Sequence, residues 1–222
     1  MIEALKDAFP MSLGLALSPF PLIAIIIILM TPKAKSNSLW FLLGWISGIY
    51  GIGLLVLVIP GLGSNHDTPS IYSGAIRIAL GLSLLIFALK TWLNRPRGGD
   101  EIVTPKLFLS IDKFGLRKSM LTGFLFSAAN VKNMAFSAAG AIRINQSLAA
   151  NQSIFIALLL FSLIGSLTLI FPVIIYAFAE KKIEPTFLLW KKWLIKNNAI
   201  VLVLILGFIG LMLVKGGIEI LK

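Results

Sequence analysis

Three polar side chains, Asn130, Lys132 and Asn133, stand inside an otherwise apolar run of the chain. Together they could do one kind of chemistry: an ammonium and two amides offer hydrogen-bond donors and one positive charge to an anion or to bare carbonyl oxygens. The residues around them are small (Ser127, Ala128, Ala129, Ala135, Ser137, Ala138, Ala139, Gly140), so other backbones can come close. A lysine near the midplane of a bilayer costs about 2.5–3.5 kcal/mol on insertion scales, and something in the protein must offset that cost. A second polar interruption is Ala16-Leu-Ser-Pro-Phe-Pro21. Pro19 and Pro21 each remove a backbone donor, and in lipid the freed carbonyls need a partner from the protein or from water in a cavity. Ser18, Pro19, Pro21, Asn130, Lys132 and Asn133 are therefore the candidate pathway residues.

The acidic residues decide what Lys132 can meet. All nine, Glu3, Asp7, Asp67, Asp100, Glu101, Asp112, Glu180, Glu184 and Glu219, fall in expected loops or at helix ends. Within apolar runs the other basic residues are Arg77 and, at a helix end, Arg143. Three states of Lys132 stay open: neutral through burial, solvated in a water-filled path beside Asn130, Asn133 and carbonyls, or awaiting an anionic ligand with Arg77 or Arg143 helping. The missing counter-charge favours an anionic or zwitterionic substrate over a metal cation, which would want oxygen ligands. There is no His-Glu-x-x-His, Gly-x-Ser-x-Gly, Walker-type loop or carboxylate pair in the runs. The expectation is a protein that is not an enzyme, with no catalytic residue, metal or cofactor, and with any active transport driven by a gradient or a partner.

The elements that must position these residues are membrane spans. Of 222 residues 58% are hydrophobic and only 13% charged, with a mean hydropathy of +0.95; soluble domains carry about 25% charged residues. At 1.5 Å per residue, about 20 residues cross a core of roughly 30 Å. Runs near Met11–Met30, Leu39–Pro60, Ile71–Leu93, Ser119–Ile142, Ile154–Phe178 and Asn198–Leu221 qualify. The charged start, Met1–Pro10, lacks a basic signal region, so the first run is expected to be retained. The chain has no cysteine, and its single histidine, His66, lies beside Asp67 in a loop.

The net charge of +11 is explained by topology. Thirteen of the twenty basic residues fall in the connections after the first, third and fifth runs: Lys33, Lys35, Arg95, Arg97, Lys106, Lys113, Arg117, Lys118, Lys181, Lys182, Lys191, Lys192 and Lys196. The positive-inside rule places these in the cytoplasm and both termini outside. Membrane lipids are the expected partners of this charge, and nucleic acid is not. Two cytoplasmic stretches, Lys106–Lys118 and Leu188-Leu-Trp-Lys-Lys-Trp-Leu-Ile-Lys196, mix apolar or aromatic residues with lysines in the manner of interfacial anchors.

An internal repeat is visible. Gly53-Leu-Leu-Val-Leu-Val-Ile-Pro60 matches Gly165-Ser-Leu-Thr-Leu-Ile-Phe-Pro172 in its Gly–Pro spacing. The two mid-run interruptions fall in the corresponding first runs of each half. Three spans per repeat forces the halves into opposite orientations, an arrangement that places transporter sites at the midplane. The fold expected is all-α: a polytopic membrane protein with six transmembrane helices as two inverted three-helix repeats, 1–93 and 119–222, joined by a basic cytoplasmic connector, 94–118. Gly44-Trp-Ile-Ser-Gly48 and Gly51 read as a helix-packing face, which would serve a homo-oligomer as readily as the interface between repeats.

Leu15-Ala-Leu-Ser-Pro-Phe-Pro21, Phe41-Leu-Leu-Gly-Trp45, Trp193-Leu-Ile-Lys-Asn-Asn-Ala199 and Asn130-Val-Lys-Asn133 together resemble the glycolipid-addressing (GAP) or sulfolipid-addressing (Sap) proteins, a branch of the lysine-exporter (LysE) superfamily. The resemblance covers nearly the whole chain. The family's Asn-Pro-Lys-Asn signature carries Val131 in place of proline here, and a milder kink is expected. The resemblance implies a small six-helix inner-membrane exporter of an anionic or amphipathic solute, such as a glycolipid or its component. The rival readings are an exporter of small amino acids or ions, and a non-transporting scaffold for a lipid biosynthesis or export complex.

Overall fold

In the computed structural model the described residues, 1–58, 71–95, 111, 114–148 and 153–221, are helical apart from short breaks and turns. In chain order the helices are α1 (Ile2–Ala16), α2 (Pro19–Leu29), α3 (Ala34–Val58), α4 (Ile71–Leu93), α5 (Leu116–Ala128), α6 (Val131–Leu148), α7 (Ser153–Gly165), α8 (Leu167–Ala179) and α9 (Glu184–Leu221), with a 3-10 turn at Glu180–Ile183. They divide into two compact units, one holding α1–α3, α5–α8 and the start of α9, the other α4 and the rest of α9. His66, Asp67, the loop 61–70 and most of the stretch 106–118 lie outside the described residues.

The expected runs exist as helices, with different ends and more breaks. α1 begins at Ile2 and takes in Glu3, Lys6, Asp7 and Pro10, so the charged start is helix where a loop was expected. The first run breaks at its prolines, α1 and α2 meeting at 61°. The fourth is two helices separated at Ala129–Asn130. The fifth also breaks, which the sequence reading missed: α7 and α8 meet at 67°. The cause lies around Ser166. Gly165 and a serine whose Oγ turns back onto Ser162 O (2.6 Å) form a Gly/Ser kink, and Pro172 withholds a donor one turn later. The Trp–Lys stretch before the sixth run is the opening of α9, a continuous 38-residue helix. By length and apolar composition α3 and the Ala199–Glu219 part of α9 can each cross a membrane, as can the bent pairs α1–α2 and α7–α8.

Burial is arranged as lipid demands. Leu39, Leu43, Phe155, Phe171, Phe178 and Phe208 are exposed, whereas Ser12, Ser38, Asn133, Ser137, Ser162 and Ser166 are buried. Apolar tails give a helix no reason to hide leucine, so contact goes to small residues and hydrogen-bonding groups. α2, nine of whose eleven residues are buried, is apolar on every side, as a helix enclosed by others can be.

The tightest contact is between α3 and α5. A Cβ built on Gly44 would overlap the Met120 carbonyl oxygen, and one on Gly123 the Phe41 carbonyl oxygen. These are backbone atoms, so neither helix can yield without moving whole. Gly51, on the same helix, has open space around it. Gly44→Val is therefore expected to lower stability by at least about 1–3 kcal/mol, while Gly51→Ala, which meets open space inside a helix, should raise it by up to about 1 kcal/mol; thermal melting of the detergent-solubilised protein checks both. At the end of α8, Glu180 adopts a positive φ of 45°, and its carboxylate accepts from Lys35 at the start of α3 (2.5 Å). Both partners are exposed, so solvent screens this pair and it adds little to stability.

Candidate functional site

Four helix ends meet at the two breaks, and the backbone explains why side chains are needed there. In a continuous helix the carbonyls of Gly14, Leu15, Ala16 and Leu17 would accept from the amides of residues 18–21. Pro19 and Pro21 have no N–H, which orphans Leu15 O and Leu17 O. The chain leaves α1 through an inverse γ-turn at Leu17 (φ −80°, ψ 66°), in which Ser18 N–H donates to Ala16 O (2.9 Å) and is lost to Gly14 O. Orphaned carbonyls buried in apolar surroundings are costly, and each of these four finds a donor.

Lys132 supplies two of them. Its Nζ donates to Gly14 O (2.8 Å), to Leu17 O (2.9 Å) and to the Ser18 hydroxyl (2.8 Å). Ser18 Oγ in turn donates to Leu15 O (2.9 Å). Ala16 O accepts from Thr168 Oγ1 (2.7 Å) at the start of α8, so all three broken segments are tied at this level. The ammonium also sits at the carbonyl end of α1, where the helix dipole favours positive charge. The Phe136 ring, whose centroid is 6.0 Å away, closes one side and fills the space left by Gly14.

The two asparagines stitch the second break. Asn130 Oδ1 accepts from the Lys132 backbone N–H (3.0 Å), capping the N-terminus of α6. Asn133, fully buried, donates from Nδ2 to Phe126 O (3.0 Å), one of the unpaired carbonyls ending α5. Its Oδ1 lies 3.4 Å from Ser18 Oγ, which links the second break to the first. One turn of α6 thus serves three helix ends: Asn130 its own, Lys132 that of α1, and Asn133 that of α5.

Of the residues singled out from sequence, Ser18, Lys132 and Asn133 form one hydrogen-bonded cluster. Pro19 and Pro21 are buried beside it at the start of α2, and Asn130 adjoins it as the cap. Arg143 is apart: it is exposed, and eleven residues along α6 is about 16 Å. Arg77 belongs to α4, and its side chain lies outside the described residues. Sequence reasoning missed Gly14, Leu17 and Thr168. The first two act through carbonyls, which every residue carries, and Thr168 becomes a partner only because the fifth run bends. Among the described residues no group of three or more His, Cys, Asp or Glu side chains could hold a metal ion.

Apolar outer faces, buried serines and spans broken around a polar knot define an all-helical protein of membrane type. More particularly, a family model for Sap, the sulfolipid-1-addressing protein, matches residues 9–219, and the chain belongs to that family. No curated protein and no solved structure matches the chain.

Proposed function

We propose that the protein is an inner-membrane exporter of an anionic or amphipathic solute, of the LysE-superfamily type, and that it carries no catalytic chemistry of its own. The observation that carries this reading is the junction of broken helices at Lys132. Non-helical backbone at membrane depth persists only where protein or a watery cavity satisfies it, and in transporters such breaks mark the site. The family's link to a sulfolipid supports an anionic lipid or lipid component as cargo.

In this reading there are six spans: α1–α2, α3, α4, α5–α6, α7–α8 and α9. Both termini face outward, and the two halves are inverted repeats. Part of the packing supports the repeat, the α1–α6 contact having no comparable α2–α5 counterpart. Pairing α1 with α5, α2 with α6 and α3 with α7–α8 turns several contacts into one another: α3 on α5 into α7 on α1, α2 on α3 into α6 on α7, and α2 on α8 into α6 on α3. The pathway is lined by Ser18, Pro19, Pro21, Asn130, Lys132 and Asn133, with Arg143 further along α6, and one repeat rocks against the other to expose it alternately.

The test begins with mass spectrometry of the lipids and metabolites that build up in a strain lacking the protein. Complementation with wild type, Lys132→Ala and Lys132→Met follows. Restoration by wild type and failure of both variants is the expected result; wild-type export by both would remove the site.

A further inference from the structure

We infer that the indole N–H of Trp45 is a binding donor of the export pathway, set to take an oxygen of the cargo's anionic head. Trp45 is fully buried in α3, and no acceptor among the described residues lies within hydrogen-bond reach of its Nε1. A buried tryptophan ordinarily finds a partner for this group, and leaving it bare carries the full cost of its lost hydration. Three other buried side-chain atoms stand without a partner: Asn37 Oδ1, Ser119 Oγ and Ser137 Oγ. The two hydroxyls can turn onto the carbonyl one helical turn back. Asn37 is already held through Nδ2 on Phe114 O (2.8 Å), and an unpaired acceptor is the lesser deficit. Trp45 has neither outlet. Its donor is fixed in a rigid ring, and an indole can only donate.

The position of this orphan ties it to the pathway. Phe41, one turn before Trp45, sets its ring edge-on to Phe126 (centroids 6.2 Å), and Phe126 O is the carbonyl that Asn133 holds. Gly48, three residues after Trp45, presses on Ser127. Both contacts are with the last turn of α5, so Trp45 stands at the level of the second break, where Asn130, Lys132 and Asn133 open α6. α3 also packs on α6 and α7. In the six-span reading α3 belongs to the first repeat and α5–α7 to the second. The indole therefore lies where the halves meet, the place at which such folds hold their cargo.

The donor also narrows the cargo. A sulfate, phosphate or carboxylate oxygen satisfies an N–H, whereas a metal ion or an ammonium finds nothing in it to bind. While the halves are closed together the N–H is sealed and bare. Once they part and an oxygen reaches it, the bound protein gains an interaction that the empty one lacks, and the hydrogen bond to a charged oxygen is of the stronger kind. A phenylalanine would fill much of the same space without an unpaired donor, so packing alone gives no reason for an indole here.

This role of Trp45 rests on the exporter reading, and one experiment separates the two. Trp45 is replaced, through a reassigned codon, by 3-benzothienylalanine, in which sulfur stands in place of the N–H and the ring keeps its size. Trp45→Phe is made alongside. Thermal melting of each purified full-length protein is compared with its ability to restore the lipid and metabolite profile of the strain lacking the protein. The isostere is expected to melt at or above wild type, because an unpaired donor has gone, while its export falls about tenfold, the scale of one hydrogen bond to a charged group; Trp45→Phe exports no better. Wild-type export by the isostere overturns the inference. So does a melting temperature lower by about 2–4 °C, the mark of an N–H already bonded in the resting protein. If wild type itself fails to restore the profile, the exporter reading falls and this donor with it; a profile restored by wild type and isostere alike removes the donor alone.

Discussion

Lys132→Met is expected to lower the stability of the purified protein by on the order of 3 kcal/mol, read as a fall in melting temperature followed through tryptophan emission. Methionine matches the lysine stem in length and polarisability, so packing against Phe136 survives and little cavity forms. What is lost is donors: Gly14 O and Leu17 O return to the unpaired state in which the proline break left them, and Ser18 Oγ loses its charged partner. A buried acceptor left without a donor costs about 1–3 kcal/mol, and bonds to charged groups are the stronger kind. Against this stands the relief of no longer holding a charge in a part-buried place, which keeps the expected loss well below the sum. A melting temperature equal to wild type would mean that water already serves these carbonyls.

Asn133→Ala is expected to cost about 1–2 kcal/mol, within the range for hydrogen bonds between membrane helices, by releasing Phe126 O at the end of α5. The more informative quantity is its coupling to Lys132. Both side chains reach Ser18 Oγ, Lys132 by donating at 2.8 Å and Asn133 through Oδ1 at 3.4 Å. The double variant Lys132→Met with Asn133→Ala should therefore fall short of the sum of the singles by about 0.5 kcal/mol or more, the scale of coupling between residues in one network. Strict additivity would show that the two stitches hold their breaks independently.

What could be read from the sequence follows from which atoms carry the information. The break after Ala16 was legible because proline announces it: a residue without an N–H leaves a definite carbonyl unpaired. Asn130, Lys132 and Asn133 were legible as polar groups where polarity is expensive, in apolar runs that carry no acid in the sequence. The partner of Lys132 was not, because carbonyls are the same at every position and only the crossing of α1 and α6 selects Gly14 and Leu17. The bend at Ser166 was hidden for a related reason. Glycine followed by serine is ordinary helix content until Leu15 and the Ser12 carbonyl press against Gly165 and Thr168 is drawn to Ala16. The start of α1 was misplaced because Glu3, Lys6 and Asp7 look like solvent-side residues, and a helix that projects past the apolar core can carry them.

The even burial of α2 has one more consequence. Pro-Phe-Pro-Leu-Ile-Ala-Ile-Ile-Ile-Ile-Leu presents nearly the same surface in every direction, so composition gives this helix almost no azimuthal preference. It resembles an axle more than a wedge. Its angular setting has to come from its N-terminal end, where Ser18 is pinned between Lys132 and Asn133. The polar knot is then the index mark of the axle, and any event that loosens it frees rotation before it frees translation.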